Sequence, residues 1–102
     1  MNEFIVRYSE EAKLDLAEIY SFVLNEYKEP KTAERLIKRL MSVISDLSFM
    51  ADSYHIYDVE PFRSQGFRYF SEGKYCIFYK ILDNTAYVVR VINGTRNIPE
   101  IL

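Results

Sequence analysis

Two rows of apolar residues, separated by a loop of only a few residues, constrain the fold of this chain more than any other feature. At steps of three and four, the first row runs through Ala12, Leu16, Ile19, Tyr20, Val23 and Tyr27, which is typical of an amphipathic helix. The second runs through Ala33, Ile37, Leu40, Ile44, Leu47 and Ala51, flanked by Leu36, Val43 and Met50. Proline cannot continue a helix but can begin one, so Lys28-Glu29-Pro30 separates the two. Because the loop is short, the helices must fold back as an antiparallel hairpin.

The rest of the sequence supplies strands for this hairpin to cover. Residues 3–8 (EFIVRY) predict a first strand, and Ser9 follows as a natural N-cap of the first helix. Residues 52–66 show no periodicity and predict a connecting loop. Strand-like runs at 67–71, 75–82 and 86–92 are separated by turn-type residues, and 95–102 form a tail. The sequence therefore predicts a single α+β domain over residues 1–102, in the order β-α-α-β-β-β. Its two layers are an N-terminal helical hairpin and a mainly antiparallel four-stranded sheet.

A register can be predicted for the last two strands. If Leu82 opposes Ala86 across a three-residue turn, then Phe78 opposes Arg90 and Cys76 opposes Ile92. One face then carries Tyr75, Ile77, Tyr79, Ile81, Tyr87, Val89 and Val91, and we expect it to pack on the helices. The other carries Cys76, Phe78, Lys80, Leu82, Ala86, Val88, Arg90 and Ile92, and we expect it to be open, with Lys80 and Arg90 exposed on it.

Charge and composition exclude several classes of protein. A formal charge of −2 argues against a generic nucleic-acid binder. With a single cysteine, Cys76, no intrachain disulfide can form, and the absence of a signal-like start favours a cytoplasmic location. No apolar run approaches the roughly 20 residues of a membrane span. We expect no metal and no cofactor, because no ligand cluster or phosphate-binding glycine loop is present. The lone histidine, His55, lies in the connecting loop, where we expect it to be solvated.

Four segments carry a resemblance to a known family. They are SEEAKLDLAEIYSFV, the Pro30-x-x-Ala33 helix start, GFRYFSEGKYCIFYKI and the close VVRVINGTRNI. In this order they resemble the RelE/ParE superfamily of toxins from type II toxin–antitoxin systems. The resemblance implies growth arrest, a role in plasmid stabilization, neutralisation by a cognate antitoxin, and contact with operator DNA only through that antitoxin. RelE-like members cut messenger RNA on the ribosome, whereas ParE-like members poison DNA gyrase and are not nucleases.

The residues at the family's functional positions favour the ParE-like alternative. RelE-type sites resemble a cluster of Lys and Arg side chains joined by a tyrosine near the C-terminus. Arg68 and Arg96 match two of the basic positions, but Phe70 and Cys76 stand where further cations are expected. The chain ends at Ile101-Leu102, where the tyrosine would lie. The alternatives are a RelE-like endoribonuclease with an altered site, using Arg68, Lys80, Arg90 and Arg96, and a degenerate toxin that acts mainly as an antitoxin-binding co-repressor.

Binding residues follow from the same comparison. The candidates for target or antitoxin contacts are Arg63, Arg68, Lys80, Arg90 and Arg96, although we expect Arg63 to form a surface ion pair of small energetic value. An exposed apolar groove over the helical hairpin or the sheet should receive an antitoxin helix. Leu14, Phe22 and Val23 on the first helix are its candidate residues.

Overall fold

The fold is taken from a computed structural model that describes residues 3–102. Its elements are β1 (Ile5–Tyr8), α1 (Glu10–Tyr27), α2 (Pro30–Ser45), α3 (Leu47–Met50), β2 (Arg68–Glu72), β3 (Tyr75–Leu82), β4 (Thr85–Asn93) and α4 (Ile98–Ile101). The strands form one sheet in the order β1-β4-β3-β2, in which β1 is parallel to β4 and the other pairs are antiparallel. The predicted α+β class and mainly antiparallel sheet are confirmed. None of the described helices is long and apolar enough to cross a membrane.

The helical hairpin begins and turns where the sequence predicts. The Ser9 hydroxyl accepts a hydrogen bond of 3.0 Å from the backbone N–H of Ala12, which satisfies one of the free donors of the first turn of α1. Lys28 ends α1 in the left-handed conformation, with φ of 52°. Pro30 then opens α2, where its missing N–H costs nothing.

The second helix is shorter than its apolar row predicts. It ends at Ser45, and the row continues through the separate short helix α3 and a single 3-10 turn at Ala51–Ser53. At the break, the Ser45 hydroxyl donates to the carbonyl of Ser42 at 2.7 Å, so a side chain competes for the backbone acceptors there. Beyond the break, the carbonyl of Ser48 accepts the N–H of Phe4, which ties α3 to the start of β1.

The predicted register of β3 and β4 is correct at one end and wrong at the other. Cys76 opposes Ile92 as expected, but Leu82 opposes Thr85 across a two-residue turn. The register changes by one residue because β4 carries a β-bulge at Val89, which has no partner on β3. Since a shift of one residue exchanges the faces of a strand, Ala86 and Val88 lie buried under the helices, contrary to prediction. For the same reason Tyr87 and Val89 lie on the opposite face.

The helix-side face of the sheet carries the main core. It contains Tyr75, Ile77 and Tyr79 of β3, as predicted, together with Leu40, Ile44 and Leu47 from the second apolar row. The Tyr79 hydroxyl donates a hydrogen bond to the carbonyl of Ala51 inside this core. Burial raises the pKa of Tyr79 well above its ordinary value.

The opposite face, which no long helix covers and which we call the helix-free face, is not open as predicted. Phe67, Phe78 and Ile92 are buried there in a second core. The connecting loop and the C-terminal segment cover them, with contributions from Tyr57, Phe62, Tyr69, Val89, Ile98, Ile101 and Leu102. The Tyr57 and Phe78 rings meet edge to face at 5.1 Å between centroids. Within residues 3–102, the end of this face beside the β3–β4 turn carries exposed side chains, among them Leu82 and Tyr87.

Candidate functional site

A buried carboxylate joins α1 to the end of β4. β4 extends beyond β1, so the backbone N–H of Val91 has no strand to pair with on that side. Asp15, which is 8% exposed, accepts this N–H at 2.9 Å. The same carboxylate accepts Arg90 through Nε at 2.7 Å and through Nη2 at 2.9 Å. A bidentate guanidinium–carboxylate pair of this kind fixes both side chains.

Arg90 therefore has a structural role that the sequence analysis did not predict. Its remaining Nη1 donates to the carbonyl of Ile101 at 2.9 Å, which holds the C-terminal segment against the sheet. The hydrogen bonds to Asp15 raise the pKa of Arg90 above its ordinary value, with further contributions from the charges of Asp15, Glu11 and Glu18. The expectation that Arg90 lies exposed on an open face is wrong, because the guanidinium is engaged by α1 and by the tail.

The role of Asp15 was not predicted from the sequence, although its position carries a signal. It lies three residues after Ala12 and four before Ile19, inside the buried stripe of α1. A carboxylate on a buried stripe is almost never left without a partner. The position of Asp15 alone therefore predicts a cation on a neighbouring element.

A groove runs between α1 and the adjoining ends of β3 and β4, and we call it the α1 groove. It consists of two adjoining cavities of about 380 and 570 Å³ that share Phe22 and Tyr75 in their walls. Arg90 and Arg96 line the smaller cavity, opposite Glu18. The larger one extends to the α1–α2 turn, along Val23, Tyr27, Leu36, Arg39 and Lys74. Its lining of mixed apolar and charged side chains is suited to a protein segment, and no group of metal ligands is found among residues 3–102.

The three candidate residues of the predicted apolar groove differ in exposure. Leu14 and Phe22 are exposed, as expected of docking residues, and Phe22 stands in the wall of both cavities. Leu14 lies outside both of them. Val23 is buried in the hairpin, as its place in the first apolar row predicts, and it also lines the larger cavity.

The other predicted cations lie at separate places on the sheet and in the connecting loop. Arg68 of β2 pairs with Tyr79 and therefore lies on the helix side of the sheet. Its guanidinium donates a hydrogen bond to the carbonyl of Tyr54 at 2.6 Å. Lys80 lies on the helix-free face, with its amine 4.4 Å from the centroid of the Phe67 ring. Arg63 forms the expected exposed ion pair, 3.2 Å from Asp58.

Arg96 lines the smaller cavity, just beyond the end of β4. Its backbone N–H donates to the carbonyl of Asn93 at 3.1 Å, which closes the turn after the strand. Within residues 3–102 its guanidinium forms no ion pair. Of the five predicted cations, Arg96 and Arg90 are brought together at one cavity, while the others lie elsewhere.

The positions where a nuclease would need further cations are apolar. Phe70 is buried and stacks on Tyr54 at 4.7 Å between ring centroids. Cys76 is half-buried, with its sulfur 3.5 Å from the Ser71 hydroxyl. His55 is exposed in the connecting loop, as predicted. Phe70 and Cys76 therefore contribute packing contacts at these two positions.

The fold is found in chains of solved toxin–antitoxin systems. One match is a chain of the chromosomal ParDE TA system from P. aeruginosa, with a TM-score of 0.76, 14% identity, and coverage of 89% of this chain and 96% of that one. Another is a chain of the toxin–antitoxin complex RelBE2 from Mycobacterium tuberculosis, with a TM-score of 0.63, 22% identity, and coverage of 89% and 98%. No curated protein matches the sequence significantly. The family model of the ParE toxin of type II toxin–antitoxin systems, parDE, matches residues 6–98. The chain therefore belongs to the ParE toxin family, as its sequence indicates.

Proposed function

We propose that this chain is a growth-arresting toxin that poisons DNA gyrase without chemistry of its own, and that a cognate antitoxin neutralises it. The observation that carries the proposal is the match of the ParE toxin family to residues 6–98. The name of that family couples the toxin to an antitoxin partner, and both solved systems cited above are toxin–antitoxin systems. Fold likeness alone would not choose a target, because one fold can support several chemistries.

The arrangement of cations supports gyrase rather than messenger RNA as the target. Metal-free RNA cleavage needs several charged groups focused on one phosphate. Arg68 and Lys80 lie on opposite faces of the sheet, so they cannot contact the same phosphate. The Arg90 guanidinium is already engaged by Asp15 and by the carbonyl of Ile101.

The α1 groove is the surface that we assign to the antitoxin. Phe22 is an exposed aromatic side chain in the wall of both cavities, which is typical of an anchor for a partner helix. Arg96 at one end and Lys74 towards the other supply positive charge along the groove. An amphipathic segment with apolar residues for the apolar part of the lining and acidic residues for these cations would complement it.

Induced expression in a gyrase-reporting strain tests the target. The expected result is growth arrest with an SOS response and intact transcripts. Purified protein should inhibit supercoiling by gyrase and increase the amount of cleaved DNA trapped on the enzyme. Arrest with transcripts cut within codons and no SOS response would overturn the gyrase assignment in favour of a ribosome-dependent nuclease. Overexpression without arrest would instead indicate a degenerate toxin that acts mainly as an antitoxin-binding co-repressor.

Phe22→Asp tests the groove separately from the target. The exposed position allows the change without disturbing the core, so melting should stay at the wild-type temperature. Affinity for the antitoxin should fall at least tenfold, about 1.4 kcal/mol, because a charge replaces an apolar anchor. Phe49→Asp is the matched control, since Phe49 is an exposed aromatic residue on α3, outside the groove. Equal antitoxin binding by both variants would overturn the groove assignment.

A further inference from the structure

Three side chains form a row across the uncovered end of the helix-free face. Arg7 pairs with Tyr87 between β1 and β4, and Lys80 pairs with Tyr87 between β3 and β4. Residues directly opposite in a sheet project to the same side. Their chain neighbours Val6, Tyr79 and Ala86 belong to the helix-side core. Arg7, Tyr87 and Lys80 therefore all point away from the helices.

Apolar side chains border this row next to the β3–β4 turn. Ile5 is 54% exposed and Leu82 is 62% exposed. Both pair with Thr85 of β4, Ile5 from β1 and Leu82 from β3. Tyr87 itself is 37% exposed, because the connecting loop and the C-terminal segment cover only the other end of this face. We call Ile5, Arg7, Lys80, Leu82 and Tyr87 the hairpin-end patch. Exposed apolar side chains grouped in this way commonly mark an interaction surface.

The two cations of the patch are not neutralised by the protein. Among residues 3–102 neither Arg7 nor Lys80 takes part in an ion pair. The Lys80 amine lies over the Phe67 ring, a contact that positions the charge without cancelling it. Two unpaired positive charges on a chain with a net charge of −2 make this end of the sheet attractive to an acidic partner.

We propose that the hairpin-end patch docks the toxin's target protein, through a target segment in which acidic and apolar residues alternate. The inference rests on the proposed function to the extent that the chain acts on a protein. A nucleic acid fits less well, because two cations neutralise few phosphates and Ile5 and Leu82 offer nothing to a phosphate backbone. The antitoxin is assigned to the α1 groove, on the other side of the sheet, so the two partners would contact different faces.

Charge reversal tests the patch, with growth arrest and antitoxin binding as separate readouts. Arg7→Glu with Lys80→Glu should relieve growth arrest and weaken retention of purified gyrase on the immobilised toxin at least tenfold. Its Kd for the antitoxin should stay within about twofold of the wild-type value, because the groove is untouched. Lys31→Glu with Lys38→Glu is the matched control, since it makes the same charge change at exposed positions on α2. This control should arrest growth like the wild type.

The variants must be folded for the comparison to count. If charge reversal lowers the melting temperature, Arg7→Gln with Lys80→Gln removes the charges with less repulsion and takes its place. Full growth arrest by a folded patch variant would overturn the inference. A patch variant that lost both growth arrest and antitoxin binding would also overturn the inference, since the patch would then belong to the antitoxin. Binding of a labelled single-stranded oligothymidylate by the wild type but not by the variant would assign the patch to nucleic acid instead.

The outcome for gyrase is distinguishable from the outcome for the patch. If the wild type arrests growth but neither inhibits nor binds gyrase, the gyrase assignment fails, and growth arrest by the patch variants still decides the docking surface. A wild type that neither arrests growth nor retains gyrase would overturn both proposals.

Discussion

Asp15 and Arg90, 75 residues apart in the chain, form a bidentate ion pair between α1 and β4, with N–O distances of 2.7 and 2.9 Å. The same carboxylate accepts the N–H of Val91, and the guanidinium donates to the carbonyl of Ile101. One helix, one strand edge and the C-terminal segment are thereby held at a single point. Asp15 and Arg90 both line the smaller cavity of the α1 groove, so the shape of the groove depends on this ion pair.

Asp15→Ala should lower the free energy of unfolding by about 3 kcal/mol. The change leaves a half-buried guanidinium and the Val91 N–H without their acceptor, and removing one member of a buried pair costs more than the pair contributes. Urea denaturation followed by circular dichroism measures the loss. Lys13→Ala is the control, because Lys13 pairs with Glu10 at 3.3 Å on the exposed surface and should change stability by less than about 1 kcal/mol. Equal losses for the two variants would contradict the structural role of Asp15.

Ile44→Asp should unfold the domain. Ile44 is fully buried between α2 and the sheet, where an unpaired carboxylate cannot be solvated. The far-ultraviolet circular dichroism of the purified variant should show loss of helix at 25 °C. Met41→Asp, three residues earlier on the exposed side of the same helix, should melt close to the wild type. A cooperative wild-type melt for Ile44→Asp would overturn the helix packing.

The sequence predicts the parts of this fold that depend on local patterns. Helix α1 and its Ser9 cap follow from spacing and capping chemistry within a few residues. The bulge at Val89 cannot be predicted from such local patterns. One unpaired residue exchanges the faces of half a strand without altering its composition. The second core could not be predicted from the sequence either, because the connecting loop that covers Phe78 has no periodicity. For the candidate site, the sequence predicts Phe22 at an apolar groove and Arg96 among the binding cations, whereas the partner of Arg90 depends on the tertiary fold.

Tyr79→Phe should lower stability at neutral pH and make it less sensitive to alkali. The variant leaves the buried carbonyl of Ala51 without its donor, which costs about 1–3 kcal/mol. Burial raises the pKa of Tyr79 above its ordinary value of 10.0, so the folded state favours the neutral phenol. The resulting stabilisation is complete below pH 10 and is lost as the pH rises beyond it, because the unfolded chain ionises first.

Thermal melts at pH 7 and at pH 11 measure both effects of this substitution. The melting temperature of the wild type should fall further from pH 7 to pH 11 than that of Tyr79→Phe. Burial also raises the pKa of Tyr8 and Tyr57, so part of the alkaline loss remains in the variant. An equal loss in both proteins would show that Tyr79 titrates alike in the folded and unfolded chains.

Arg96→Ala should abolish growth arrest or weaken antitoxin binding at least tenfold, while the melting temperature stays unchanged. Arg96 lies beyond the end of β4, and its side chain lines the groove without an ion pair within the described chain, so its loss leaves no buried charge unpaired. Growth assays and the antitoxin Kd, measured on the same protein, separate the two effects. Arg63→Ala is the control, because Arg63 pairs with Asp58 at an exposed site away from the groove. If Arg96→Ala kept full toxicity and full antitoxin affinity, neither partner would use this end of the groove, and the assignment of Arg96 would be wrong.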